Sequence, residues 1–188
     1  MLKQVGENSY MLTENTQVRK LNQEVINLNK ENSDKTGFNR WKVYLASGWF
    51  NPVAYQELIE LENLFDTIAD KIDLAAPRRI FVCPPNAPRE VQDATFEGNC
   101  HHIQTADFLL VNTRDKDMGT IWEAGYAYAF NKPIVYYCAG LPAGSKFNLM
   151  LSRSGVKVCT SMDELTSYLN ECFAVGGLIV DSYDKEIE

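Results

Sequence analysis

The stretch that decides the fold reads Phe108-Leu109-Leu110-Val111-Asn112-Thr113-Arg114-Asp115-Lys116-Asp117-Met118-Gly119-Thr120-Ile121-Trp122-Glu123-Ala124-Gly125, and Pro133-Ile134-Val135-Tyr136-Tyr137 follows it. Residues 108–111 are a near-continuous apolar run, short enough for a buried strand and closed by a polar Asn112. Residues 113–119 read as a loop, and residues 121–130 are rich in helix-compatible and aromatic side chains. Pro133 opens a second apolar run. Strand, loop, helix and strand in this order make one unit of a parallel sheet. Thr120 is a natural N-cap, which places Glu123 in the first helical turn. There the helix dipole favours an ionised carboxylate, and an ionised carboxylate at the mouth of a sheet suits a nucleophile. The same residues also spell a capping box, in which Glu123 does no more than bond back to the Thr120 N–H.

Outward from this unit the alternation continues. Val43-Tyr44-Leu45-Ala46 reads as a buried strand and Ser47-Gly48-Trp49-Phe50-Asn51-Pro52 as a turn. Residues 53–72 form an amphipathic helix with Leu58, Leu61, Leu64, Phe65 and Ile68 on one face. Residues 80–82 make a short strand, residues 83–88 a Pro-rich loop and residues 90–105 a helix. After the 133–137 strand come a loop at 140–148, a last strand at 156–159 and a closing helix at 162–172. The expectation is an α/β fold, a doubly wound parallel five-stranded sheet flanked by helices, flavodoxin- or Rossmann-like. Residues 1–40 stand apart as a polar N-terminal arm or helix ahead of the 41–188 domain; Val18, Leu21, Val25 and Leu28 trace one apolar helical seam within it.

Bulk properties exclude several classes. With 188 residues, 45% of them apolar, the chain can bury a real core, and its net charge of −7 argues against binding a nucleic-acid polymer. The five cysteines contain no CxxC pair, which fits reduced thiols in a cytoplasmic protein. His101 and His102 are adjacent and so point apart on a helix; no metal site and no cofactor is expected. No apolar run spans a bilayer, so no membrane partner is expected.

In a doubly wound sheet, ligands bind beyond the carboxyl ends of the strands. That rim would gather Ser47 to Asn51, Asp117, and the segment Lys146-Phe147-Asn148-Leu149-Met150. Polar groups with aromatics and a methionine suit a flat heterocycle and a sugar. The first loop has one glycine and no basic residue, a poor phosphate cradle, although Arg114, Lys116 and Lys146 lie in the other two rim loops.

Four of these segments, in order, resemble the nucleoside 2-deoxyribosyltransferases. They are Val43 through Phe50, Thr105-Ala106-Asp107 before a strand, Asp117 through Ala127 (the pattern Asp-x-Gly-x-x-x-Glu-x-Gly-x-Ala) and Asn148-Leu149-Met150. The resemblance covers about residues 41–160 and implies a mechanism. Glu123 would attack the anomeric carbon of a 2′-deoxynucleoside, expel the base and pass the sugar to a second base. Tyr44 would hydrogen-bond that nucleophile and Asp117 would contact the sugar hydroxyls. Asn148 would hold the 5′-hydroxyl, usually of a neighbouring subunit's substrate. Ser47, Gly48, Trp49, Phe50, Gly119 and Met150 would line the pocket, with Trp49, Phe50 and Met150 excluding water. The partners so implied are 2′-deoxynucleosides and free nucleobases, in a homo-oligomer whose sites are shared between subunits. Asp107, at a strand entrance, reads as structural.

Two positions depart from the family pattern. An Asp that helps protonate the leaving base is replaced by Asn99, and an amide cannot donate a proton as an acid does; Asp117, water or Glu97 would have to serve. A family Tyr that ends the chain corresponds to none here, since Tyr183 is followed by Asp184-Lys185-Glu186-Ile187-Glu188. Hydrolysis of a 2′-deoxynucleoside 5′-monophosphate, a non-catalytic nucleotide sensor and a plain interaction protein stand as the alternatives.

Overall fold

The computed structural model describes residues 40–141 and 146–188; the helical seam expected near Val18 to Leu28 lies outside them. Five strands form one sheet: β1 (Trp41–Ala46), β2 (Ile72–Ala75), β3 (Phe108–Asn112), β4 (Ile134–Tyr137) and β5 (Lys157–Cys159). All pair in parallel, in the order β2-β1-β3-β4-β5. The helices are α1 (Pro52–Thr67), α2 (Pro77–Ile80), α3 (Arg89–Thr105), α4 (Met118–Ala129), α5 (Leu149–Ser154) and α6 (Met162–Val175). This is the expected doubly wound α/β architecture, with its switch of winding direction between β1 and β3.

Side-chain alternation along each strand sorts the core into two layers. Val43 and Leu45 of β1 pack with Leu58, Leu61 and Phe65 of α1 and with Leu165 and Leu169 of α6. Tyr44 and Ala46 face the other way, onto Ile103 of α3 and Ala124 and Ala127 of α4. β3 is buried along its whole length, as a central parallel strand must be. Each large side chain so buried contributes about 1.5–3 kcal/mol, which makes both layers stable enough to hold a site at their upper edge.

Three elements differ from the sequence expectation. The first helix ends at Thr67 rather than continuing to residue 72, and Ile72 instead starts β2, in register with Trp41. It begins at Pro52 because the Asn51 carboxamide oxygen accepts from the Val53 and Ala54 N–H groups at 3.0 and 2.9 Å. Residues 80–82 form no strand: Pro77 opens the single turn of α2, and Phe81 turns its ring under α3. Gly98 makes that possible, since a Cβ there would sit 2.4 Å from the ring. Residues 149–154, between the expected loop at 140–148 and the last strand, form α5, capped by the Asn148 carboxamide oxygen through the Met150 and Leu151 N–H groups. β5 and α6 fall close to the expected strand at 156–159 and helix at 162–172.

Asp107 occupies the structural position expected of it. Its carboxylate accepts from the Lys42 N–H at 2.7 Å, and its own N–H donates to the Lys42 carbonyl at 2.8 Å, tying β1 to the start of β3. Asp107→Ala is expected to lower stability by about 1 kcal/mol, read as a shifted denaturation midpoint with an unchanged slope; an unaltered midpoint would show the contact to be dispensable.

Candidate active site

Alternation aims Tyr44 at the underside of α4. Its hydroxyl donates to Glu123 Oε1 at 2.6 Å. The bond joins residues 79 positions apart and spans the sheet and the helical layer above it. Tyr44 is fully buried and Glu123 is partly buried.

Asp117, not Thr120, is the N-cap of α4. Its Oδ2 accepts from the Thr120 N–H at 2.8 Å and from the Thr120 hydroxyl at 2.9 Å. The helix therefore starts at Met118, and Glu123 lies in its second turn, outside the end where the dipole acts strongly. The capping box between Thr120 and Glu123 does not form, because Thr120 sits inside the helix and Glu123 is engaged by Tyr44.

The electrostatics differ from the sequence expectation accordingly. Burial pushes the Glu123 carboxyl up to about 7; the Tyr44 hydrogen bond pulls it down and the nearby Asp117 charge pushes it up further. Burial, and then the negative charge of Glu123, drive the Tyr44 phenol far above its usual range, so it stays a protonated donor. Glu123 is thus poised near neutrality instead of being held ionised by a helix end.

The loop after β1 meets the loop before α4 at Gly48. A Cβ on Gly48 would lie 3.0 Å from Asp117 Cβ and 3.1 Å from its Cγ, so only glycine lets the two loops touch without displacement. Gly119 is similarly tight: a Cβ there would lie 3.3 Å from Asp117 Oδ2. Ser47 is buried and donates to the Gly48 carbonyl at 3.0 Å, while accepting from Asn112 Nδ2 at 3.3 Å. Its hydroxyl therefore serves the packing beneath the rim.

The remaining candidates spread along the edge. Trp49 stacks on Phe50 with ring centroids 5.4 Å apart, but Phe50 is 77% exposed and Met150 74%. In the single chain these two wall off nothing. Asn148 is exposed, its Oδ1 used for the α5 cap. The 186–188 segment straps this region. Phe147 N–H donates to the Glu186 carbonyl, Leu149 N–H donates to the Glu188 carbonyl, and the Glu188 carboxylate reaches Lys116 Nζ at 4.0 Å. Tyr183 is a core residue against Phe147. On α3, Glu97 is exposed and the Asn99 side-chain oxygen is buried with no hydrogen-bond partner among the described residues. Such an acceptor awaits a donor. The neighbouring Cys100 lies close enough to act electrostatically on Tyr44, which places this part of α3 beside the Tyr44–Glu123 pair.

A family model described as nucleoside 2-deoxyribosyltransferase matches residues 43–153, the span that contains Tyr44, Asn99, Asp117, Glu123 and Asn148. The chain belongs to that family. Among solved structures it is similar to the 2-deoxyribosyltransferase of Bacillus psychrosaccharolyticus, at 24% identity and a TM-score of 0.61, over 74% of this chain and 98% of that one. It is also similar to a conserved protein from Enterococcus faecalis V583, at 15% identity and a TM-score of 0.56, over 71% of this chain and 99% of that one. These likenesses bear on the fold. No curated protein matches the chain in sequence.

Sequence reading missed one ionic group at this rim. Glu57 of α1 is buried and takes both ends of the Arg114 guanidinium. The signal was present as a carboxylate beside Leu58 on a largely apolar helix face that also buries Glu62, but nothing in the spacing pointed to its partner.

Because folded Glu123 is protonated up to about 7, and its ordinary value is 4.5, the folded state holds a proton across that window that the unfolded chain has released. Stability contributed by this group is therefore greatest below about 4.5 and falls as pH rises through about 7. Glu123→Gln keeps the acceptor for Tyr44 and removes the buried charge. It is expected to be more stable than the wild type by about 1–3 kcal/mol at pH 8, with the gap closing towards pH 4.5. An equal gap at both pH values, by thermal unfolding, would contradict a raised Glu123.

Proposed function

We propose that the protein transfers 2-deoxyribose between nucleobases by a retaining double displacement on Glu123. The observation that carries this reading is the 2.6 Å hydrogen bond from buried Tyr44 to Glu123. It fixes one carboxylate oxygen and leaves the other to attack, while burial makes the carboxylate basic and poorly solvated. In the first step a Glu123 oxygen bonds to C1′, the C1′–N bond breaks, and its electron pair leaves with the base, which takes a proton from solvent. In the second step a nitrogen of the acceptor base bonds to C1′, the C1′–O bond to Glu123 breaks, the carboxylate is regenerated and the acceptor loses its N–H proton to solvent. Both passages run through an oxocarbenium-like state, and two inversions give retention. The Glu123 and Asp117 charges both face the positive charge that develops there.

Asn99 supplies an acceptor for a base N–H and cannot supply an acid proton. Asp117, with Oδ2 committed to the helix cap, presents Oδ1 on the Gly48 side, where a sugar hydroxyl is the expected partner. A homo-oligomer is supported by the aromatic face of α3 and α4. There Phe96 meets Trp122, Trp122 stacks on Tyr126 and Tyr126 meets Phe130, all on or beside the helix that bears Glu123. A second reading, N-glycoside hydrolysis, is favoured by the exposure of Phe50 and Met150, which leaves water a path to the intermediate in an isolated chain.

Deoxyinosine with free adenine should yield deoxyadenosine, with little free deoxyribose when adenine is omitted; release of free sugar alone would move the assignment to the hydrolase. Glu123→Ala should lose about 10³-fold or more in kcat/KM while remaining folded, and retained activity would exclude the covalent route. The kcat/KM profile should rise with pH through about 7 as Glu123 ionises, and Tyr44→Phe should move that limb to higher pH, because the bond it deletes favours the ionised form.

Proton delivery has its own test. Asn99→Asp should raise kcat about tenfold or more for donors whose bases leave poorly, and little for those that leave well. The same gain for both kinds of base would mean that residue 99 does not protonate the leaving group.

A further inference from the structure

The three loops that form the rim converge on one buried ion pair outside the reacting centre. Glu57 stands on α1 and Arg114 in the loop after β3. Arg114 Nε donates to Glu57 Oε2 at 2.9 Å, and Arg114 Nη2 donates to Glu57 Oε1. The same Nη2 donates to the Ala139 carbonyl at 3.1 Å, just beyond β4. Asn112, the last residue of β3, completes the group. Its Oδ1 accepts from the Arg114 N–H at 3.1 Å, and its Nδ2 donates to Glu57 Oε2 at 3.4 Å and to Ser47 Oγ at 3.3 Å. The loops after β1, β3 and β4 are therefore all anchored to Glu57, directly or through one side chain.

We propose that Glu57 and Arg114 are positioning residues for this site, acting through the placement of Asp117 against Gly48. The assignment rests on the deoxyribosyl-transfer reading for its activity readout. Asp117 lies three residues beyond Arg114, and its Cβ and Cγ are within 3.1 Å of where a Gly48 Cβ would stand. Asp117 thus occupies the space that a side chain at residue 48 would need. A shift of the β3 loop relative to the β1 loop moves the sugar-facing oxygen of Asp117 away from C1′ or drives it into Gly48. The planar fork of arginine suits the task, because it engages both carboxylate oxygens and a carbonyl at once. Lysine keeps the charge and loses that geometry. Neither Glu57 nor Arg114 needs to touch the substrate.

The test is a double-mutant cycle in the full chain. Asp117→Asn retains a good N-cap, so α4 should persist. Arg114→Lys is expected to lower kcat/KM for deoxyinosine about ten- to a hundredfold, as a displacement near 1 Å can. The pair Arg114→Lys with Asp117→Asn should be little worse than Asp117→Asn alone, because Arg114 acts only through the Asp117 carboxylate charge, which Asp117→Asn has already removed. A purely structural ion pair would give additive losses, and additive losses overturn the proposal. Hydrogen exchange separates this from failure of the functional reading. Amides at residues 47–50 and 113–120 should exchange faster in both Arg114→Lys and Glu57→Gln, while those of β3 do not. If the wild type transfers no sugar but these loops loosen together, the clamp stands and the activity assignment falls. If their protection is unchanged, the clamp falls.

Discussion

A phenol in the central sheet holds a carboxylate on the helix above it, and the arrangement of the whole rim follows from that contact. Tyr44 can reach Glu123 only because β1 alternates strictly, sending Val43 and Leu45 to α1 and α6 and Tyr44 and Ala46 to α3 and α4. It also needs β1 and β3 to be neighbours in parallel register, with Tyr44 opposite Leu109, so that the helix leaving β3 returns over β1. The order β2-β1-β3-β4-β5 meets that need and places the switch in winding at the site. A one-residue slip of β1 would turn Tyr44 into the opposite layer and leave the buried face of Glu123 without its donor.

The second constraint is the use made of Asp117. It caps α4 through one oxygen, which fixes where the helix begins and so fixes Glu123 in the second turn. Its charge then lies near enough to oppose ionisation of Glu123. One carboxylate thus sets the position of the other and adds to the basicity that burial gives it. A helix dipole acting on a first-turn Glu123 would have done the reverse, holding it ionised and weakly basic. Near neutrality the observed arrangement gives a carboxylate that is substantially ionised yet strongly basic for its kind.

What could be read in the sequence was what local pattern encodes. β1, β3 and β4 are runs of large apolar residues closed by polar or Pro punctuation, and each was found within a residue or two. β2 was not, because Ile72-Asp73-Leu74-Ala75 is an edge strand of four residues that follows a helix without Gly or Pro between. The apolar Ile80-Phe81-Val82 looked the better strand, yet Pro77 starts a helical turn there and Phe81 is consumed beneath Gly98. At the site, the motif from Asp117 to Gly125 pointed to the wrong cap. Thr120 and Asp117 are both competent caps, and the choice depends on how the loop leaves β3. The Glu57–Arg114 pair was illegible for a plainer reason: its members are 57 residues apart, and only the folded sheet brings them together.

The resulting site is unbalanced in a way that bears on its chemistry. Under the proposed deoxyribosyl transfer, the Glu123 and Asp117 carboxylates would face the positive charge at C1′, and the amide of Asn99 would face the base. Stabilisation is therefore concentrated on the sugar. A departing base would there meet an acceptor, and its proton would have to come from Asp117, Glu97 or solvent. Exposure of Phe50 and Met150 would admit solvent in an isolated chain, and the same solvent would threaten the proposed covalent intermediate. The aromatic face on α3 and α4 beside Glu123 offers a resolution: a neighbouring copy seated there would narrow the access that proton delivery needs without sealing it. Water would then serve the leaving base as a proton source while being held out of line with C1′, and the balance between transfer and hydrolysis would be set by assembly as much as by the residues of one chain.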